Sequence, residues 1–247
     1  MKIVASYNIK GGVGKTAVAV NLAWLAARDG LVTLVWDLDP QGAATFYFRT
    51  EPKVKGGSRG LIEGDRDLQE LIHSTEYPLL DILPADFSNR HMDIRLEEKK
   101  QPTRRLRKLL KPLSGTYDLV LLDCAPSISL VSEAVFEAAD IVLMPVIPTT
   151  LSLRTLEQLR DFRSRRGLDQ LKLLPFFSMV DRRKTLHREI LERFPGECPE
   201  LLRTLIPYAS EVEQMGVRCA PVGQFAAGSR AGLAFEALWA ELRPHLD

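Results

Sequence analysis

Short, continuous runs of apolar residues alternate with longer segments of helical periodicity along most of the chain. The runs are rich in β-branched residues and leucine. Nearly all are apolar at every position, which is typical of strands buried on both faces of a parallel sheet. The predicted strands are Ile3–Tyr7, Val32–Trp36, Leu79–Leu83, Leu119–Asp123, Ile141–Val146, Leu171–Phe177 and Thr204–Ile206.

Segments with helical periodicity lie between these strands. The predicted helices are Lys15–Arg28, Arg104–Leu113, Ser132–Ala138, Leu151–Arg166, Leu186–Phe194 and Gly232–Leu242. A repeated strand–helix–strand order implies right-handed crossovers and a parallel sheet covered on both sides. The predicted fold class is therefore α/β, with a mostly parallel, twisted sheet of about seven strands in a single domain over residues 1–247. The glycine-rich, charged stretch Thr50–Asp65 is predicted to be a surface loop.

Composition narrows the class of protein further. The 247 residues carry 33 Lys and Arg against 32 Asp and Glu, and the net charge of +1 argues against a uniformly basic DNA-coating protein. No apolar run reaches the roughly 18 residues of a membrane-spanning helix, and the N-terminus lacks a signal-peptide layout. The three cysteines have no CxxC spacing, so neither a disulfide framework nor a zinc site is indicated. We therefore expect a cytoplasmic protein.

A glycine-rich loop follows the first predicted strand. Residues 10–16 read Lys-Gly-Gly-Val-Gly-Lys-Thr and lead directly into the first predicted helix. Glycines allow the backbone N–H groups to form a nest for phosphate oxygens, and the helix N-terminus reinforces it. Lys15 would reach the β- and γ-phosphates, and the Thr16 hydroxyl would ligate Mg²⁺. Ile9 stands where the general phosphate-loop pattern has its first glycine; a glycine-rich turn without a ligand is the alternative.

The loop also contains a second lysine, Lys10, five residues before Lys15. The segment Lys10–Thr16 resembles the deviant Walker A motif of the ParA/MinD family of P-loop ATPases. The resemblance implies a single-domain P-loop ATPase that binds ATP or ADP with Mg²⁺ and forms a homodimer around the nucleotides. It implies that Lys10 reaches the nucleotide of the partner subunit, as a second cation over the developing phosphate charge. A solvated loop lysine is the alternative. The nucleotide-binding residues that the resemblance implies in this loop are Gly11, Gly12, Val13, Gly14, Lys15, Thr16 and Ala17.

Aspartates stand at the ends of two predicted strands. Carboxylates at this edge of a parallel sheet lie where such sheets bind ligands. The segment Trp36–Gly42 resembles the family's DxDPQ segment, which implies that Asp39 orients the attacking water and that Asp37 supports the magnesium shell. Four apolar residues before Asp123 match a Walker B pattern, whose carboxylate holds Mg²⁺. Capping or ordinary strand-end aspartates are the alternatives. Cys124 is predicted to be a small buried residue, because no base is adjacent.

Two segments late in the chain align with the family's base-contacting segments. The resemblance implies that Met179 and Pro207 pack on the adenine ring. Ser178 occupies a position where the family usually has asparagine. The alternative, of equal weight, is that these loop residues only close the core.

A dimer that forms in the ATP-bound state must bind something else in that state to act as a switch. Members of the family bind either membrane or DNA. The C-terminal helix is amphipathic, but its polar residues are mostly acidic, so we expect it to pack on the core rather than on membrane. Basic residues cluster in several segments, including Lys99–Lys111, and each cluster alone could be a solvated helix face. The candidate DNA-contacting residues are Arg182, Arg183, Lys184, Arg203, Arg218 and Arg230.

The sequence thus predicts an ATPase switch of ParA type. In this hypothesis the ATP-bound homodimer binds nucleoid DNA nonspecifically and positions or segregates a plasmid, a chromosome or a protein complex, while a partner protein stimulates slow hydrolysis. The alternative is a regulatory, MinD-like or secretion-associated nucleotide-binding protein without DNA binding. A redox or metal-assembly role is disfavoured, because it requires paired cysteines at a dimer interface.

Overall fold

The computed structural model describes residues 1–64 and 67–246. It contains a twisted eight-stranded sheet in the order β3-β4-β2-β5-β1-β6-β7-β8. Every strand pair is parallel except β3 with β4. The strands are β1 (Lys2–Ser6), β2 (Thr33–Asp37), β3 (His73–Ser74), β4 (Leu80–Leu83), β5 (Leu119–Asp123), β6 (Ile141–Val146), β7 (Lys172–Val180) and β8 (Leu205–Pro207).

The seven predicted strands are confirmed, with ends that shift by up to three residues. The eighth, β3, is a two-residue antiparallel edge strand whose side chains are exposed. Since it buries nothing, it leaves no apolar run in the sequence, and hydrophobic pattern alone could not find it.

Eleven α-helices lie among the described residues. They are α1 (Lys15–Arg28), α2 (Ala43–Tyr47), α3 (Gly57–Glu63), α4 (Met92–Glu97), α5 (Arg105–Leu110), α6 (Leu130–Ala138), α7 (Thr150–Arg165), α8 (Thr185–Arg193), α9 (Ser210–Arg218), α10 (Val222–Ala226) and α11 (Arg230–Leu242). The six predicted helices correspond to α1, α5, α6, α7, α8 and α11. The other five, which span five to nine residues, were not predicted.

Alternate residues of the central strands pack into two hydrophobic cores, one on each face of the sheet. Val4, Val35 and Leu121 belong to the core beneath α1 and α11, whereas Ala5 and Trp36 belong to the opposite core with α6 and α7. The α/β fold class is thereby confirmed, since a parallel sheet needs helices on both faces to bury its strands.

The C-terminal helix α11 closes one of these cores, as expected. Phe235, Leu238, Trp239 and Leu242 are at most 3% exposed, and the Trp239 indole N–H donates a 2.8 Å hydrogen bond to the Asp29 carboxylate. None of the helices among the described residues combines the length and the apolar character needed to cross a membrane.

The prediction of a surface loop over Thr50–Asp65 is wrong for residues 57–63. Residues 57–63 form α3, which buries Leu61 and Ile62 in the core, and Val54 joins them. Only these few apolar residues stand among glycines and charges, so the composition concealed a helix that tertiary packing stabilises. The last residue of the stretch, Asp65, lies outside the described residues.

Candidate functional site

The phosphate loop, residues 10–16, connects the end of β1 to the start of α1. Gly12 and Gly14 have φ angles of 69° and 97°, in the left-handed region that favours glycine. A Cβ atom on Gly14 would also come within 3.0 Å of the Ser178 hydroxyl. The loop therefore needs these two glycines to turn its N–H groups inward at the helix N-terminus, an arrangement that binds anions.

Lys15 is folded back over the loop. Its Nζ donates a 2.9 Å hydrogen bond to the Lys10 carbonyl, and its own carbonyl accepts one from the Ser6 hydroxyl at 2.9 Å. Burial lowers the pKa of the Lys15 ammonium, while the negative charges of Asp123 and Asp39 oppose that effect. The Lys15 ammonium is thus hydrogen-bonded to the Lys10 carbonyl. The charged phosphate oxygens of a nucleotide would replace that carbonyl and bind the ammonium more strongly.

A buried asparagine, which the sequence analysis did not identify, supports Lys10. The Asn8 amide donates to the Pro145 carbonyl at 2.7 Å and its side-chain oxygen accepts from the Lys10 N–H at 2.9 Å. Lys10 is half-buried, and its Nζ lies 3.4 Å from the Ser152 hydroxyl near the start of α7. Asn8 therefore ties the loop to β6. Its position between a buried strand and the loop was the only signal in the sequence.

The sheet register brings two predicted aspartates together, because Asp37 at the end of β2 is paired with Asp123 at the end of β5. Asp37 is buried, and its carboxylate accepts three hydrogen bonds, from the Thr45 N–H (2.8 Å), the Thr45 hydroxyl (2.7 Å) and the Asp39 N–H (3.2 Å). Burial is the largest cause that raises the pKa of Asp37 to about 6. Asp37 thus fixes the loop after β2.

Asp123 is buried without such partners. Within residues 1–64 and 67–246, neither of its carboxylate oxygens has a hydrogen-bond partner, and its exposure is 0%. Burial first, and then the charge of Asp37, raise the pKa of Asp123 well above its usual range; the nearby Thr16 hydroxyl and Lys15 ammonium act in the opposite direction. A buried carboxylate without partners is costly unless a cation compensates it.

These residues fit a magnesium ion. Mg²⁺ typically takes one or two protein oxygens and completes its shell with waters and substrate phosphates. Asp123 offers a free carboxylate, and Thr16 offers a hydroxyl in the first turn of α1. The described residues contain no group of three or more His, Cys, Asp or Glu that could hold a metal by itself, and a magnesium site of this kind does not require one.

A cavity of about 340 Å³ adjoins the phosphate loop, and we call it the base cavity. It brings together five residues predicted to contact nucleotide, which are Gly12, Gly14, Ala17, Met179 and Pro207. Met179 has a φ of 53° and lies next to Ser178, which also lines the cavity. Aromatic lining residues that the sequence analysis missed are Tyr47, Tyr208 and Phe235. Part of the phosphate loop and both predicted base-contacting residues thus line one cavity.

Cys124 is buried, as predicted. Its exposure is 4%, and burial raises the pKa of the thiol well above its ordinary value, with the charge of Asp123 acting in the same direction. A thiol in this state is a poor nucleophile.

The structure distributes the predicted DNA-contacting residues over several elements. Arg182, Arg183 and Lys184 are exposed after β7, but the Arg183 guanidinium is paired with both carboxylate oxygens of Asp181 at 2.9 Å. Arg203 precedes β8 and lines, with Arg182, a separate cavity of about 590 Å³. The two remaining residues, at the end of α9 and the start of α11, are Arg218 and Arg230.

A phosphate loop between β1 and α1, with carboxylates at the ends of β2 and β5, defines a P-loop nucleotide hydrolase. Comparisons with known proteins specify the family. A family model described as an AAA domain, AAA_31, matches residues 1–165.

Relatives and solved structures agree with this. Chromosome partitioning protein ParA of Myxococcus xanthus is 34% identical over 200 residues, covering 79% of this chain and 71% of that protein. Sporulation initiation inhibitor protein Soj of Bacillus subtilis is 32% identical over 212 residues, covering 83% and 84%. Cobyrinic acid a,c-diamide synthase from Mycobacterium smegmatis, solved with an ATP analogue and magnesium, is 26% identical, with a TM-score of 0.84 and coverage of 99% and 95%. The chain belongs to the ParA/MinD family of P-loop ATPases.

Proposed function

We propose that this chain is a ParA-type switch, in which an ATP-bound homodimer binds DNA nonspecifically and positions or segregates a cargo. Family membership makes the chain a Mg²⁺-dependent ATPase that converts ATP and water to ADP and phosphate. The partition relatives support the cargo role, and a partner protein that stimulates slow hydrolysis completes the proposal.

Different residues of this chain bind the phosphates, orient the attacking water and would hold the magnesium ion. Loop N–H groups and Lys15 bind phosphate oxygens and stabilise the charge that develops there. Asp39 orients the attacking water; its Oδ1 accepts a 2.9 Å hydrogen bond from the Gln41 N–H, which holds the carboxylate in the loop after β2. Asp123 and Thr16 would hold Mg²⁺, with Asp37 behind them. The ion supplies further charge neutralisation when it is bound.

One observation carries the dimer proposal. The Lys15 ammonium lies within the loop, on the Lys10 carbonyl, whereas the Lys10 side chain leaves the loop. Among residues 1–64 and 67–246, the Lys10 ammonium has one weak hydrogen-bond partner, the Ser152 hydroxyl of α7 at 3.4 Å. The ammonium also lies near the N-terminus of a 16-residue helix, where the helix dipole disfavours a cation. Lys10 is therefore held loosely and is free to reach the phosphates of a second subunit.

Three variants test the assignment, using nucleotide affinity, mass in solution and phosphate release as readouts. Lys15→Ala should abolish nucleotide binding. Asp39→Ala should bind ATP, form a dimer and fail to turn over, while Lys10→Ala should bind ATP and remain monomeric. Normal hydrolysis by the Asp39 variant would disprove its role in positioning water.

DNA binding is tested separately, with random-sequence duplex and either ATP or ADP. We expect salt-sensitive binding in the ATP state only. Equal binding in both states would contradict a nucleotide-gated switch. An ATPase without DNA binding in either state would favour the regulatory alternative. Burial of the apolar face of α11 supports DNA over membrane as the surface, because that face is engaged in the core.

A further inference from the structure

The densest run of positive charge in the chain contains none of the six candidate DNA-contacting residues named from the sequence. Residues 99–111 contain seven Lys or Arg and no Asp or Glu. Five of the seven are exposed, and together we call them the α5 basic surface, which comprises Lys100, Arg104, Arg107, Lys108 and Lys111.

The packing of α5 explains why these cations point outward. Leu106 and Leu110 are at most 1% exposed, and they fix one side of the helix in the core together with Leu113, which follows it. Arg105 is used structurally, since its Nε donates a 2.6 Å hydrogen bond to the Ile62 carbonyl. The remaining cations at positions 104, 107, 108 and 111 follow the i, i+3, i+4, i+7 spacing of one helix face.

These cations are not neutralised within the chain. Among residues 1–64 and 67–246, no ion pair involves any member of the α5 basic surface. Lys108 donates to the neutral Gln101 side chain at 3.1 Å. Arg183, by contrast, is paired with Asp181, and Arg160 with Glu200 at 2.9 Å. The charge available to an external anion is therefore greater on α5 than on the loop after β7.

The composition of the α5 basic surface favours a polyanion as its ligand. Of the three leucines of α5, Leu106 and Leu110 are buried and Leu109 is half-buried, so the exposed face consists mainly of cations. It lacks the large apolar centre of a protein interface and the row of apolar side chains that inserts into a bilayer. Positions 104 to 111 span about 10 Å along a helix axis, the length of about three phosphates on one DNA strand. We propose that the α5 basic surface is the main phosphate-binding surface for DNA in this protein. This inference rests on the proposed DNA-binding function and specifies where the contact lies.

The test compares two variants with equal loss of charge. In the first, Arg104, Arg107, Lys108 and Lys111 are all changed to Gln, and Arg105 is retained because it supports the fold. In the matched control, Arg182, Lys184, Arg203 and Arg230 are changed to Gln. Binding of random-sequence duplex is measured by interferometry at several salt concentrations with ATP and Mg²⁺, and nucleotide affinity and basal ATPase rate confirm that each variant is folded.

We expect the α5 variant to lose roughly a hundredfold in DNA affinity at about 0.1 M salt, with its salt slope reduced by up to about 3.6 per subunit. The control should stay within a few-fold of wild type. Unchanged DNA binding by the α5 variant, or an equal loss in the control, would overturn the inference while leaving the proposed function intact. Failure of the wild-type protein to bind DNA would overturn both, as would binding to phosphatidylglycerol vesicles in place of DNA.

Discussion

The unpartnered carboxylate of Asp123 leads to a prediction that runs against the usual effect of substituting an active-site residue. Asp123→Asn should make the metal-free protein more stable at pH 8. In the wild-type protein two buried carboxylates occupy paired positions at the ends of adjacent strands, and one of them has no hydrogen-bond partner among the described residues. Asparagine removes one charge at nearly constant volume.

The size of the effect follows from Asp37. Burial and its neighbours raise the pKa of Asp37 from 3.8 to about 6, which corresponds to about 3 kcal/mol of unfavourable free energy when it is ionised. Asp123 has fewer compensating contacts, so its ionisation is at least as unfavourable. The buried amide of the variant would remain without a partner, at a cost of about 1–2 kcal/mol. With the Asp37 figure as the scale, the expected net gain in the free energy of unfolding is about 1–2 kcal/mol.

The pH dependence has a definite sign. An acid whose pKa is raised in the folded state contributes most stability below its unfolded pKa, and that stability is lost as the pH rises through the folded pKa. Metal-free wild type should therefore lose stability between about pH 4 and pH 7, from Asp37 alone by about 3 kcal/mol. The Asp123→Asn variant should show a flatter profile. Its advantage should disappear at low pH, where Asp123 is neutral and the unpartnered amide leaves the variant less stable by about 1–2 kcal/mol.

Urea unfolding at a series of pH values, with chelator present, measures both quantities. Asp118→Asn provides a matched control, because Asp118 is an exposed carboxylate just before β5, at the other end of the strand from Asp123, and an amide oxygen can still accept from the Val32 N–H. This control should change stability by less than about 0.5 kcal/mol. Adding Mg²⁺ and ADP should stabilise wild type more than the Asp123 variant. A variant less stable than wild type at pH 8 without metal would refute the reasoning.

Three further predictions concern the packing around the site, each measured by urea or thermal unfolding. Gly223→Ala should destabilise the protein by about 1–3 kcal/mol, because a Cβ there would overlap the Trp24 ring; no measurable loss would mean that Trp24 can move aside. Thr45→Val should destabilise by about 1–3 kcal/mol, since it removes the 2.7 Å hydrogen bond to Asp37; Thr45→Ser should retain most of that bond. Phe235→Ala should destabilise by about 3–5 kcal/mol, as the ring is 2% exposed and also lines the base cavity; a loss below about 1 kcal/mol would contradict its place in the core.

Long buried elements were predictable because their pattern reflects their environment directly. The limits of α1, β5 and β6 agree with the prediction at both ends. Each is apolar where it meets the core, and Asp29-Gly30, with Gly30 at a φ of 90°, follows α1 directly. Short helices such as α2 and α3 were not predictable, because they depend on tertiary contacts such as the bonds from Thr45 to Asp37.

The sequence by itself determined the α/β fold class, the phosphate loop and the family resemblance, because glycine, lysine and apolar residues have strong local effects at fixed spacing. Only the tertiary structure decided which charged side chains have hydrogen-bond or ion-pair partners. The register of β2 with β5 places Asp123 beside Asp37 without a partner, whereas folding pairs Arg183 with Asp181 and leaves Arg107 and Lys108 free of ion pairs within the described residues. Electrostatic interactions depend on distance and burial, and neither can be read from a net charge of +1.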